Sequence, residues 1–206
     1  MQIARSAAGL FVKQGLRATR AEDIAQAAGI APRTFYRYFA TKEEAVAPLY
    51  AAGAERWMQA VHEAAADLTV PEALEQAVRH TLTPGAGVSA ASWEWVRTLI
   101  RLADASPALG KVWAEVCHAS ERALGEVLVG RLGGEGEGKG DNVASADGAL
   151  SSEVRFAAAT ASAAVRVAVE AWAAGDARPE GPEGPAALAL RNLSALRDFP
   201  WGEVAG

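Results

Sequence analysis

Six side chains with hydrogen-bonding chemistry crowd into ten residues of this chain: Arg33, Thr34, Tyr36, Arg37, Tyr38 and Lys42. A guanidinium can meet O6 and N7 of guanine with two parallel hydrogen bonds. Hydroxyls, phenols and an ammonium suit phosphate oxygens, which fix position on a duplex without reading its sequence. The set points to DNA, yet the whole chain carries a net charge of −5. That charge is not evenly spread. Residues 1–50 hold seven Lys/Arg against four Asp/Glu, a net of +3, and the other 156 hold 13 against 21, a net of −8. A basic head on an acidic body can approach a polyanion while the body keeps clear of it.

The elements that must position these groups are helices. Ile3, Ala7, Leu10 and Phe11 recur at helical spacing on one face, with Gly15 as a stop. Thr19-Arg20-Ala21-Glu22 has the form of a capping box, which predicts that the Thr19 hydroxyl accepts from the backbone of residue 22. The helix it opens carries Ile24, Ala25 and Ala28 inward and ends at Gly29. Pro32 suits the first position of the next helix, about 32–38. Phe35 and Phe39 lie four apart and form its inner face, so Arg33, Thr34, Tyr36 and Arg37 face outward. Two short helices around a glycine turn make a helix-turn-helix, whose second helix enters the major groove. Thr41-Lys42-Glu43-Glu44 is a second capping box and predicts a long helix over about 42–66, kinked by Pro48. The helix N-termini at Thr19 and Thr41 offer further backbone donors to phosphate.

Beyond residue 66 the pattern predicts helices at about 71–82, 89–105, 107–132, 151–174 and 185–198. Residues 83–87 read as a loop and the glycine-rich stretch 133–149 as a flexible one. Strand alternation and internal repeats are absent, so the expected class is all-α with about nine helices. Nothing in the sequence builds a catalytic constellation. Gly133 to Lys139 nearly spells a phosphate-binding loop, but Gly140 stands where a Ser or Thr must hold the metal. Cys117 and His118 diverge by about 100° on a helix, and His62, His80 and His118 lack metal-ligand spacing. The single cysteine excludes an intrachain disulfide. The chain is therefore expected to be no enzyme and to use no metal or cofactor. No apolar run reaches about 18 residues and no signal peptide is read, so a cytoplasmic protein without a membrane span is expected.

The head resembles the tetracycline-repressor (TetR) family of bacterial transcriptional regulators. The residues that carry the resemblance are Phe11, Gly15, Thr19, Ile24-Ala25, Ala28-Gly29-Ile30, Phe35-Tyr36-Arg37-Tyr38-Phe39 and Lys42-Glu43. The signature covers about residues 3–46, under a quarter of the chain. The resemblance implies a three-helix DNA-binding domain over 1–46 and a helical ligand-binding and dimerisation domain over 47–206. It implies a homodimer on a palindromic double-stranded operator, released by a small-molecule effector. Tyr36 and Lys42 then fall at phosphate-contact positions and Arg33 and Thr34 at base-reading ones, with Thr19, Arg37 and Tyr38 completing the DNA face. Tyr38 stands where a histidine is common, and Ala31 where a capping Ser is usual. The basic arm that many members carry before the first helix is missing, or the native start lies upstream.

For the body, five tryptophans fall on predicted helices, and large flat side chains suit an apolar or aromatic ligand. Trp57, Val61, Trp93, Val96, Trp113, Val116 and Cys117 are the expected pocket residues, for an uncharged or weakly polar aromatic compound. Val154, Ala158, Ala161, Val165, Ala168 and Trp172 form a stripe at spacings of three and four, and Leu190, Leu193 and Leu196 mark the last helix. In the family the last two long helices of each subunit pair into a four-helix interface, so these residues are expected there. Ordinary packing within one subunit fits the same stripe. The expected mechanism is an effector that swings the helix kinked at Pro48 and changes the separation of the two recognition helices. A small-molecule-binding helical protein with weak or lost operator recognition is the alternative.

Overall fold

The computed structural model describes residues 1–85, 90–132, 150–199 and 201. Among these residues the chain is helical throughout, without a strand: α1 (Gln2–Gln14), α2 (Ala21–Ala27), α3 (Pro32–Tyr38), a 3-10 turn (Glu44–Val46), α4 (Ala47–Glu63), α5 (Val70–Leu82), α6 (Ala90–Ala105), α7 (Pro107–Leu132), α8 (Ser152–Ala174) and α9 (Pro185–Ser194). The expected loop at 133–149, and the near phosphate-loop within it, lie outside the described residues, as do residues 86 and 87.

The chain divides into two compact units. The first comprises Met1–Gly53 with Thr98–Val116. Its core joins Ala7, Ala8 and Phe11 of α1, Ile24 and Ala25 of α2 and Phe35 of α3 to Val46, Tyr50, Leu99 and Leu109. The Tyr50 hydroxyl donates to the Leu99 carbonyl at 2.9 Å, and its ring meets Trp113 edge-on at 5.2 Å. Burial holds the Tyr50 phenol well above the ordinary tyrosine range, so it remains a neutral donor. Gly15, at φ +85°, ends α1, and Gly29, at φ +67°, makes the turn between α2 and α3. Both occupy a conformation that costs a side-chain-bearing residue free energy.

The second unit comprises Ala54–Arg97 with Cys117–Gly206. Trp57, Val61, Leu74, Val78, Leu124, Leu128 and Trp201 pack there around α8, and α9 adds Ala189 and Leu193. One arginine of this unit caps a helix end. Arg131 of α7 donates to the carbonyls of Val61, Ala64, Ala65 and Leu68 at 2.8–3.2 Å. The last carbonyls of a helix lack donors of their own, and the guanidinium supplies them at the end of α4.

The structure corrects several local expectations. Pro48 kinks nothing: α4 begins at Ala47, so the proline sits in the first turn, where its missing N–H is not needed. The box at Thr19 is displaced by one residue. Asp23 accepts from the Arg20 amide at 2.9 Å, while the Thr19 hydroxyl donates back to the Gly15 carbonyl at 2.8 Å. At the second box the Thr41 hydroxyl accepts from the Glu44 amide at 3.3 Å, but Glu44 reaches Ala40 N–H at 2.9 Å, and the element opened is the 3-10 turn. The stripe expected at a dimer interface faces inward. Val154, Ala158, Ala161, Val165, Ala168 and Trp172 are 0–9% exposed within the single chain. Leu193 is buried as well, with Leu190 and Leu196 packed against the same core. Within the single chain these side chains pack α8 against its own core. Apolar exposure on α8 lies elsewhere, at Phe156 (63%) and Val167 (47%).

Candidate nucleic-acid interface

α3 is seven residues long, and its side chains sort sharply by face. Phe35 is fully buried, 5.5 Å from the half-buried ring of Phe39. Arg33, Arg37, Tyr36 and Tyr38 are exposed, and Thr34 is half-exposed. The expected outward set therefore shares one solvent-facing surface. Pro32 occupies the first turn and Ala31 the cap, without a capping side chain, so the first amides of α3 are free of an intramolecular side-chain acceptor at that cap.

The polar groups on this surface hold one another. Tyr36 donates its phenol to Glu22 of α2 at 3.2 Å, and Glu22 also meets Arg20 at 3.5 Å. Desolvation first, and then the Glu22 carboxylate, raises the Tyr36 pKa, so at neutral pH it is a neutral donor. The Arg37 guanidinium lies over the Tyr38 ring at 5.1 Å and reaches its hydroxyl at 3.4 Å. All of these are exposed contacts that solvent or a competing acceptor can exchange at small cost.

Two residues of the expected DNA face turn inward. Thr19 is 1% exposed, its hydroxyl engaged with Gly15 and approached by Gln14 at 3.3 Å. Lys42 sends its ammonium to the carbonyls of Leu16 and Thr19 at 2.7 and 2.8 Å, with Glu43 at 3.9 Å. Together they fix the turn after α1 to the segment after α3. Sequence reasoning placed them with the exposed cations because charge and hydroxyl types alone do not tell a cap from a contact.

The expected pocket residues divide between the two units. Trp57 and Val61 belong to the core of the second, and Trp93 meets Trp172 edge-on there at 5.3 Å. Val96 is half-buried in that unit, as is Cys117. Burial pushes the Cys117 thiol up to about 12, which leaves it protonated and unreactive at neutral pH. Trp113 and Val116 instead pack against the core of the first unit. Arg97, which sequence reasoning passed over, is 8% exposed with its guanidinium 4.3 Å over the Trp172 ring. Its position four residues after Trp93 was the available signal.

Residues 3–47 match the family described as bacterial regulatory proteins, tetR family. That segment is a TetR-type DNA-binding head. It contains the helix-turn-helix of α2 and α3, and the family's members are DNA-binding proteins rather than enzymes. The chain is 28% identical over 134 residues to the HTH-type transcriptional regulator TcmR of Streptomyces glaucescens, a match that covers 64% of this chain and 59% of that protein. Among solved structures, FadR of Thermus thermophilus, a TetR-family repressor in complex with lauroyl-CoA, shares the fold over 95% of this chain and 91% of its own, at 22% identity and a TM-score of 0.54. A flavonoid-responsive regulator, FrrA, is 26% identical over 94% of both chains with a TM-score of 0.50. Among the described residues no helix is long and apolar enough to cross a membrane, and no group of three or more His, Cys, Asp or Glu is placed to hold a metal.

Proposed function

We propose that this chain is a transcriptional repressor of the TetR family. It grips a palindromic operator as a homodimer and leaves it when an aromatic small molecule occupies its helical body. The observation that carries the reading is the surface of α3, with Arg33, Thr34, Tyr36, Arg37 and Tyr38 exposed above a buried Phe35. In this reading residues 1–46 act as the DNA-binding domain and 47–206 as the ligand-binding and dimerisation domain, in the cytoplasm. Arg33 and Thr34 read base edges. Tyr36 exchanges Glu22 for a phosphate oxygen, and Arg37 and Tyr38 grip the backbone alongside it. Lys42 and Thr19 serve the same surface from behind, by holding the turn after α1.

The body takes the effector among Trp57, Val61, Trp93, Val96 and Cys117. The likeness to a regulator that is flavonoid-responsive supports an aromatic compound. Dimerisation uses the outer face of α8, where Phe156, Thr160, Ala163 and Val167 recur at helical spacing and none is buried. The effector shifts the equilibrium only by as much as it prefers the DNA-released state.

Fluorescence anisotropy with duplex DNA from the region beside this protein's own gene tests the reading. Specific binding should outcompete scrambled DNA. Arg33→Ala should weaken it about tenfold or more, in line with the loss of one bidentate base contact. Tyr36→Phe should weaken it less and reduce its salt dependence little, because a neutral phenol displaces no counterion. Equal affinity for scrambled DNA would favour a ligand-binding protein that has lost operator recognition.

A further inference from the structure

Trp93, Arg97 and Trp172 form a buried cluster in the second unit, 3%, 8% and 1% exposed. Trp93 and Arg97 lie four residues apart on α6 and so share a face. Trp93 meets the Trp172 ring edge-on, and the Arg97 guanidinium lies over that same ring at 4.3 Å. Most of the cluster's donors are satisfied. Trp172 Nε1 donates to the Ala177 and Arg178 carbonyls at 3.1 and 3.3 Å. Arg97 Nη2 donates to the Ala177 carbonyl, and Nη1 to Glu94 at 3.2 Å.

Two donors are not. Trp93 Nε1 and Arg97 Nε are buried with no acceptor. Native interiors rarely leave buried donors unpaired, because the loss of water is then uncompensated. If the cluster only filled space, phenylalanine and an aliphatic residue would serve better. Neither group can accept a hydrogen bond, so whatever completes the cluster must bring acceptor oxygen. A guanidinium favours an anionic oxygen over a neutral one, and the indoles beside it offer flat apolar faces.

We infer that Trp93 and Arg97 form the end of the effector site that reads an oxyanion, so the effector is an aromatic molecule bearing a carboxylate, phenolate or sulfonate. This rests on the reading of the body as an aromatic-ligand domain, and it replaces the uncharged compound expected from the sequence. Two fluorescent probes separate the claims. 8-Anilinonaphthalene-1-sulfonate carries an oxyanion, and N-phenyl-1-naphthylamine has the same rings without it. The full-length protein should bind the sulfonate about tenfold more tightly or better, as expected for a charge-assisted hydrogen bond. Trp93→Phe and Arg97→Met should each remove most of that preference, the sulfonate losing several-fold more affinity than the uncharged probe. Trp95→Phe, on the exposed side of α6, should change neither. If the Arg97 variant fails to fold, Trp93→Phe, which keeps the ring and removes the donor, decides alone. Both probes bound equally, or a preference untouched by the variants, would overturn the inference and leave the aromatic-effector reading standing. Binding of neither probe would remove that reading and the inference with it.

Discussion

α3 and α8 are both helices with two unlike faces, but only one of them declares its faces in its composition. In and just after α3, Phe35 and Phe39 bracket Tyr36, Arg37 and Tyr38, so the polar residues mark the outside before any partner is known. In α8, most positions are Ala, Val, Ser or Thr, and small apolar residues run down more than one side. The chain buries the side that begins at Val154 and leaves Phe156 and Val167 in solvent. Periodicity finds a helix in both cases. It assigns the faces only where side-chain chemistry breaks the symmetry.

Charge placed on either side of α8 should break or confirm this contrast most strongly. Ala161→Glu puts an unpaired carboxylate at a site with no exposure and should abolish cooperative folding, visible as loss of the thermal transition by circular dichroism. Phe156→Glu should leave that transition in place and instead break the proposed homodimer, read as a sedimentation coefficient below the parent's. A folded dimer for the first variant, or an unchanged dimer for the second, would reverse the assignment of faces.

The corresponding pair on α3 is smaller in effect. Phe35→Ala should lower stability by about 3–5 kcal/mol in urea unfolding, the usual cost of emptying an aromatic core site. Arg37→Ala should leave the unfolding free energy within about 0.5 kcal/mol of the parent's, as for exposed positions generally. A large loss for Arg37→Ala would mean that its stacking on Tyr38 holds the head together.

The smallest effect belongs to a cap. Glu72 accepts from the Thr69 hydroxyl at 2.7 Å and from its amide at 2.9 Å, and these bonds lower its pKa. A depressed folded-state pKa stabilises above the ordinary carboxylate range and loses that contribution as pH falls through the folded value. Glu72→Gln should therefore melt slightly below the parent at pH 7, and the two should converge as the pH falls through the folded-state pKa of Glu72. A constant gap across that range would assign the difference to geometry rather than charge.

How much of the site was legible follows the same logic. The outward placement of Arg33, Thr34, Tyr36, Arg37 and Tyr38 was legible because two phenylalanines four apart fix the inner side of this short segment. Lys42 and Thr19 carry the same chemistry as that set, yet their hydrogen bonds run to carbonyls of the chain itself. The dependence of Arg97 on Trp172 and Ala177 was invisible, since those partners lie 75 and 80 residues away.

The sequence by itself determined the helices, their order and the helix-turn-helix. The signals are local: a glycine at positive φ, a proline in a first turn, an apolar residue every three or four positions. Such preferences act within one or two turns and need no partner. Only the tertiary structure decided that Pro48 begins a helix, that α8 turns Val154 rather than Phe156 inward, and that a guanidinium lies buried on an indole. Each of those outcomes depends on which distant surface offers an apolar contact or an acceptor, and side-chain type alone does not carry that information.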